Sequence, residues 1–147
     1  MNRRAYLSLG SNLGNRAERL GAARAALVAR PDLRLVAFSP VVETEPVDVT
    51  DQPRFLNQVL AVETRLEPRP LLEACLAIER ELGRDRSAGP PRGPRTIDID
   101  LLLYAGRSVD EPGLTVPHPR LAERAFFLDL CRVAGAPEAW LPGAVAA

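Results

Sequence analysis

Apolar and polar residues alternate at several points along the chain, and the periods separate strands from helices. Residues 5–10 (Ala-Tyr-Leu-Ser-Leu-Gly) place leucines between smaller or polar residues, the two-residue period of a strand. Ser11-Asn12-Leu13-Gly14 reads as a turn. Asn15 followed by Glu18 resembles a capping box that opens a helix of about 15 residues, ended by Pro31. Residues 33–44 read as a strand interrupted near Pro40, and residues 45–54, with Pro46 and Pro53, as a polar loop. Alternation returns at residues 55–64, with Leu56, Leu60 and Val62 on one face and Phe55, Asn57 and Val59 on the other. Leu71, Cys75, Ile78 and Leu82 recur at helical spacing, and Gly83 stops that helix.

Residues 83–95 are rich in Gly, Pro and Arg and offer nothing to build a core from, so they are expected at the surface. A strand is predicted over residues 96–104. Val116-Pro117-His118-Pro119 is a stiff extended segment, because each proline restricts the residue before it. A last helix is expected from about Leu121 to Ala134, and residues 137–147 carry no clear pattern. With no repeat and no linker, the pattern predicts one α+β domain over residues 1–147: an antiparallel sheet with helices packed on it.

Composition prunes the possible functions. The chain has 147 residues, with 46% hydrophobic and 26% charged, ordinary for a single globular domain. Zero formal net charge disfavours a broad electrostatic grip on nucleic acid. No apolar run is long enough to span a bilayer, and the start of the chain has no apolar signal segment, so a cytoplasmic protein is expected. Cys75 and Cys131 are expected as buried thiols. All 19 basic residues are arginine, which excludes a phosphate loop built on lysine, and Schiff-base chemistry with it. A single histidine, His118, excludes a multi-histidine zinc site.

The strand Thr96–Leu103 carries the most chemistry. Strand alternation turns Ile97, Ile99, Leu101 and Leu103 toward the core and leaves Asp98 and Asp100 on the opposite face, about 7 Å apart. Two carboxylates so placed can hold Mg²⁺ between them, or one ion each, with substrate phosphates completing the shell. A solvated polar face on an edge strand is the alternative. Arg84, Arg86, Arg92 and Arg95 lie in the loop leading into the strand and can neutralise phosphate oxygens, as phosphoryl transfer requires. Phe55 and Asn57 share a strand face suited to a flat heterocycle, the ring stacking and the amide donating and accepting. His118, clamped between prolines, is a phosphate contact or a structural residue.

Together these segments resemble the 6-hydroxymethyl-7,8-dihydropterin pyrophosphokinase family of folate biosynthesis. The resemblance runs from Leu9-Gly10-Ser11-Asn12-Leu13 through Phe55-Leu56-Asn57, Gly93-Pro94-Arg95-Thr96-Ile97-Asp98-Ile99-Asp100-Leu101-Leu102 and Leu114-Thr115-Val116-Pro117-His118-Pro119-Arg120 to about residue 134. It implies a ferredoxin-like, three-layer α/β/α domain that transfers pyrophosphate from ATP to the pterin hydroxymethyl group and releases AMP. By resemblance Asp98 and Asp100 hold two Mg²⁺ ions on the triphosphate. Asn57, Thr44 and Val47 read the pterin, which Phe55 and Phe126 sandwich. Arg84, Arg95, His118 and Arg124 contact phosphates, with Glu79, Leu101 and Thr115 on the ATP side. Arg86 and Arg92 lie on a loop that closes over the substrates. The chain departs from the family at Arg92 and Pro119, where relatives often carry aromatic residues. A cytoplasmic monomer without nucleic-acid or membrane partners is implied. The rival readings are a non-catalytic nucleotide- or RNA-binding module of the same fold, and a metal-dependent phosphohydrolase.

Overall fold

The computed structural model describes residues 2–45, 52–83 and 97–143. Strand β1 (Arg3–Ser11) lies in the middle of the sheet and is buried from Ala5 to Ser11. Helix α1 (Arg16–Val28) starts where expected, with Asn15 Oδ1 accepting from Glu18 N at 3.1 Å, and ends at Ala29, two residues before Pro31. Strands β2 (Leu33–Phe38) and β3 (Val42–Thr44) flank the break at Pro40 and both pair with β4 (Phe55–Thr64). Helix α2 (Pro68–Glu81) begins on a proline, whose missing N–H costs nothing there. The positive φ of Gly83 (91°) follows its C-terminus. Strand β5 (Asp98–Tyr104) closes the sheet in the order β2-β4-β1-β5, every pairing antiparallel. This β-α-β-β-α-β order with β1 and β4 central is the ferredoxin-like arrangement the sequence analysis expected.

A short hairpin, β6 (Val109–Glu111) and β7 (Leu114–Val116), leads to a cis Val116–Pro117 bond, then to α3 (Arg120–Glu123) and α4 (Ala125–Val133). Helices cover both faces of the sheet. On one, Leu20, Ala23 and Leu27 of α1 and Leu71, Cys75 and Ile78 of α2 pack on Leu7, Leu9, Leu60, Ile99 and Leu101. On the other, Leu121, Phe127, Leu130 and Cys131 pack on Tyr6, Val59, Ala61 and Leu102. Each fully buried leucine contributes about 2 kcal/mol of transfer free energy. Cys75 and Cys131 are buried thiols on opposite faces, and no helix of the described residues is long and apolar enough to cross a membrane.

Three expectations are corrected. Leu103 does not join Ile97, Ile99 and Leu101. The register slips between Tyr6 and Leu7, so Leu102 is an extra, unpaired residue and both Leu102 and Leu103 pack on the α4 side. The single helix expected from Leu121 to Ala134 is two, because Arg124 adopts an extended conformation (φ −136°, ψ 105°) that ends α3 and begins α4. The tail is not patternless throughout: a 3₁₀ turn at Glu138–Trp140 sets Trp140 edge-on to Tyr6, with ring centroids 6.1 Å apart, and Leu141 is buried.

Candidate active site

The site grows from strand register. Asp98 pairs with Gly10, Gly10 with Asn57, and Asn57 with Val42, so one row crosses four strands. Paired residues point to the same face, which puts Asp98 and Asn57 on either side of a residue with no side chain. A Cβ at Gly10 would stand 3.0 Å from Asn57 Oδ1 and 3.8 Å from Phe55 Cδ1, so glycine is what keeps the floor open. The next row sets Asp100 beside the small Ser8.

Two hollows open beside the aspartates, and Arg120 lines both. The first is lined by Ser8, Gly10, Thr44, Phe55, Asn57 and Asp98 from the sheet side and by Arg120, Arg124, Phe126 and Phe127 from α3 and α4. Phe55 and Phe126 are half-buried, each leaving part of its ring to the cleft. Asn57 Nδ2 donates to Thr44 Oγ1, which fixes the amide and leaves its oxygen over Gly10. The second hollow is lined by Leu72, Leu76, Leu101, Leu114, Thr115 and His118 together with Asp100 and Arg120. Asp98 therefore faces one hollow, Asp100 the other, and Arg120 both.

The carboxylates are not the solvated face that edge-strand position alone allows. Asp98 is 6% exposed at its side chain and Asp100 12%. Arg120 Nη1 donates to Asp98 Oδ2 and Asp100 Oδ2, 3.0 Å each, so the two oxygens converge on one cation. Among the described residues no three His, Cys, Asp or Glu side chains gather as a metal cage. Two convergent carboxylates without a cage fit a hard divalent ion that takes its remaining ligands from water and phosphate. His118 is set by its own backbone: its N–H donates to the carbonyl of the bulged Leu102 at 2.9 Å, and its Nδ1 accepts from Arg120 N at 3.1 Å. That leaves Nε2 as the protonated nitrogen, 3.7 Å from Asp100 Oδ1.

Most residues singled out in the sequence meet here. Thr44, Phe55, Asn57, Phe126 and Arg124 line the first hollow; Leu101, Thr115 and His118 line the second. Arg124 thus lines the aromatic hollow, whereas His118 lines the second. Glu79 lies beneath β5: almost fully buried, it accepts from Ile99 N at 2.7 Å, between the two aspartates in sequence. Val47, Arg84, Arg86, Arg92 and Arg95 lie outside the described residues. Sequence reasoning missed Arg120, the open floor at Gly10 and the leucines of α2 in the second hollow. Arg120 stood inside the quoted Pro-His-Pro-Arg stretch, but nothing local marks which of 19 arginines will reach the carboxylates.

Residues 6–134 match the sequence model of the family described as 7,8-dihydro-6-hydroxymethylpterin-pyrophosphokinase (HPPK). The chain is 49% identical over 125 residues to the 2-amino-4-hydroxy-6-hydroxymethyldihydropteridine pyrophosphokinase of Methylorubrum extorquens, covering 85% of this chain and 78% of that one. It is 46% identical over 128 residues to the protein of the same name from Pseudomonas aeruginosa, covering 87% and 78%. A solved Plasmodium falciparum HPPK-DHPS structure shares the fold, with TM-score 0.68 and 16% identity over 94% of this chain and 39% of that one. Sequence motifs, sheet register and relatives agree that this chain belongs to the 7,8-dihydro-6-hydroxymethylpterin-pyrophosphokinase family.

Proposed function

We propose that this chain transfers pyrophosphate from ATP to the hydroxymethyl group of 6-hydroxymethyl-7,8-dihydropterin and releases AMP, a step of folate biosynthesis. The observation that carries the reading is the aspartate pair on the seam between two unlike hollows, one aromatic and amide-lined, one walled by leucines. A reaction between two bound substrates needs such a seam, because holding both reactants removes most of the entropic cost of their encounter.

The pterin is assigned to the first hollow. Phe55 and Phe126 stack on its ring, and Asn57 offers Oδ1 and its remaining amide hydrogen to the heterocycle edge while Thr44 holds the other hydrogen. The nucleotide is assigned to the second hollow. Leu101, Leu72 and Leu76 give an apolar wall for adenine, and His118 turns its Nε2–H toward the phosphates with its ring held by the Nδ1 bond. Asp98 and Asp100 would hold the metal, and two Mg²⁺ ions bound there would neutralise phosphate charge and lower the pKa of the attacking hydroxyl. In the transfer the hydroxymethyl oxygen bonds to the β-phosphorus as the bond from that phosphorus to the AMP oxygen breaks, and the hydroxyl proton leaves to solvent. Arg84, Arg86, Arg92 and Arg95, and Val47, keep the phosphate, loop-closure and pterin roles that the resemblance implies. A cytoplasmic monomer is carried over as what the family resemblance implies.

One incubation tests the reading. With ATP, Mg²⁺ and the hydroxymethyl dihydropterin, AMP is expected only when the pterin is present. ADP, or phosphate released without pterin, would point to a kinase or hydrolase instead.

A further inference from the structure

Arg120 occupies the point on which both metal-binding carboxylates converge. Its guanidinium, 14% exposed, donates from one nitrogen to both, at 3.0 Å each. A guanidinium keeps its charge at any physiological pH. At this burial the effective dielectric is low, so the contact draws the two carboxylates together. A divalent ion binds carboxylate oxygens at about 2 Å. It would meet the guanidinium as a like charge at closest approach, and both cannot sit at the convergence point. Arg120 also lines both hollows, so a guanidinium that leaves the carboxylates finds phosphate oxygens within the same space once a nucleotide is bound.

We propose, resting on the pyrophosphokinase reading above, that Arg120 is an exchangeable internal cation. In the unliganded protein it holds Asp98 and Asp100 converged. It yields them to the divalent ion when the nucleotide's phosphates take its guanidinium. Metal loading is thereby coupled to nucleotide binding, and the coupling is reciprocal. Arg120 is a positioning residue that acts through the aspartates, and it turns a site that free metal would enter at any time into one that fills with the substrate.

The test reads binding rather than turnover. Mn²⁺ alone is titrated into wild-type protein and Arg120→Met, with free ion followed by electron paramagnetic resonance. The variant is expected to bind Mn²⁺ at least tenfold more tightly, a gain that structural damage would not produce. The affinity of α,β-methylene-ATP at saturating Mg²⁺ is expected to fall at least fivefold in the same variant. In wild-type protein the Arg120 Nε–H resonance should hold its position with dilute Mg²⁺ alone and move when the analogue is added. This last measurement decides the matter even if Arg120→Met does not fold. Equal Mn²⁺ affinity in the two proteins, or a resonance indifferent to the analogue, overturns the proposal. A wild-type protein that binds no Mg²⁺–analogue complex would instead overturn the pyrophosphokinase reading.

Discussion

Replacing Gly10 by alanine adds one methyl group to the floor between Asp98 and Asn57. Its Cβ would stand 3.0 Å from Asn57 Oδ1, inside ordinary van der Waals contact, so the amide must give by a few tenths of an ångström. Asn57 cannot swing freely, because its other end is tied to Thr44 and the residue is buried. The displaced amide loses alignment with the heterocycle. Neutral hydrogen bonds are worth about 1 kcal/mol each. Weakening two of them gives about 1–2 kcal/mol, or roughly a 5- to 30-fold rise in KM for the pterin. The KM for ATP should hold, since Gly10 does not line the nucleotide hollow. Steady-state kinetics with each substrate varied in turn would measure both. A pterin KM unchanged from wild type, or an equal loss for ATP, would refute the reasoning.

Asp98→Ala and Asp100→Ala should each lower turnover by about a thousandfold, the equivalent of several kcal/mol of metal-borne charge stabilisation, while circular dichroism shows the fold retained. Glu79→Ala should leave the Ile99 N–H buried without this acceptor. It is expected to cost about 1–3 kcal/mol in urea unfolding and to loosen the strand that carries both aspartates. Burial pushes the Cys131 thiol up to about 12, so the folded protein should show no fast thiol toward a disulfide reagent at pH 8, and two after denaturation. Asp32 is held below the usual carboxylate range by hydrogen bonds from Arg30, and Glu63 by Arg34 and Arg4. With folded values below unfolded ones, their stabilisation is present at neutral pH and is lost as the pH falls below about 4. Arg30→Met should flatten that loss in acid unfolding curves.

What the sequence determined by itself is whatever depends on the period of the backbone. Alternation placed Asp98 and Asp100 together on one face of their strand and Phe55 and Asn57 together on one face of theirs, and helical spacing found the buried stripe of α2, because these follow from strand and helix geometry within a few residues. The family motifs located the site before any contact was known. Tertiary structure decided the rest. The slip at Leu102 that sends Leu103 to the other face depends on pairing with β1, more than ninety residues away in sequence, and no local period encodes it. The open floor at Gly10 exists only because β1 lies between β4 and β5. Arg120 reaches the aspartates because the Leu102 carbonyl, left outside the β1 register, anchors His118 two residues before it. Side-chain direction is a local property, whereas the choice of neighbour is set by the whole packed sheet.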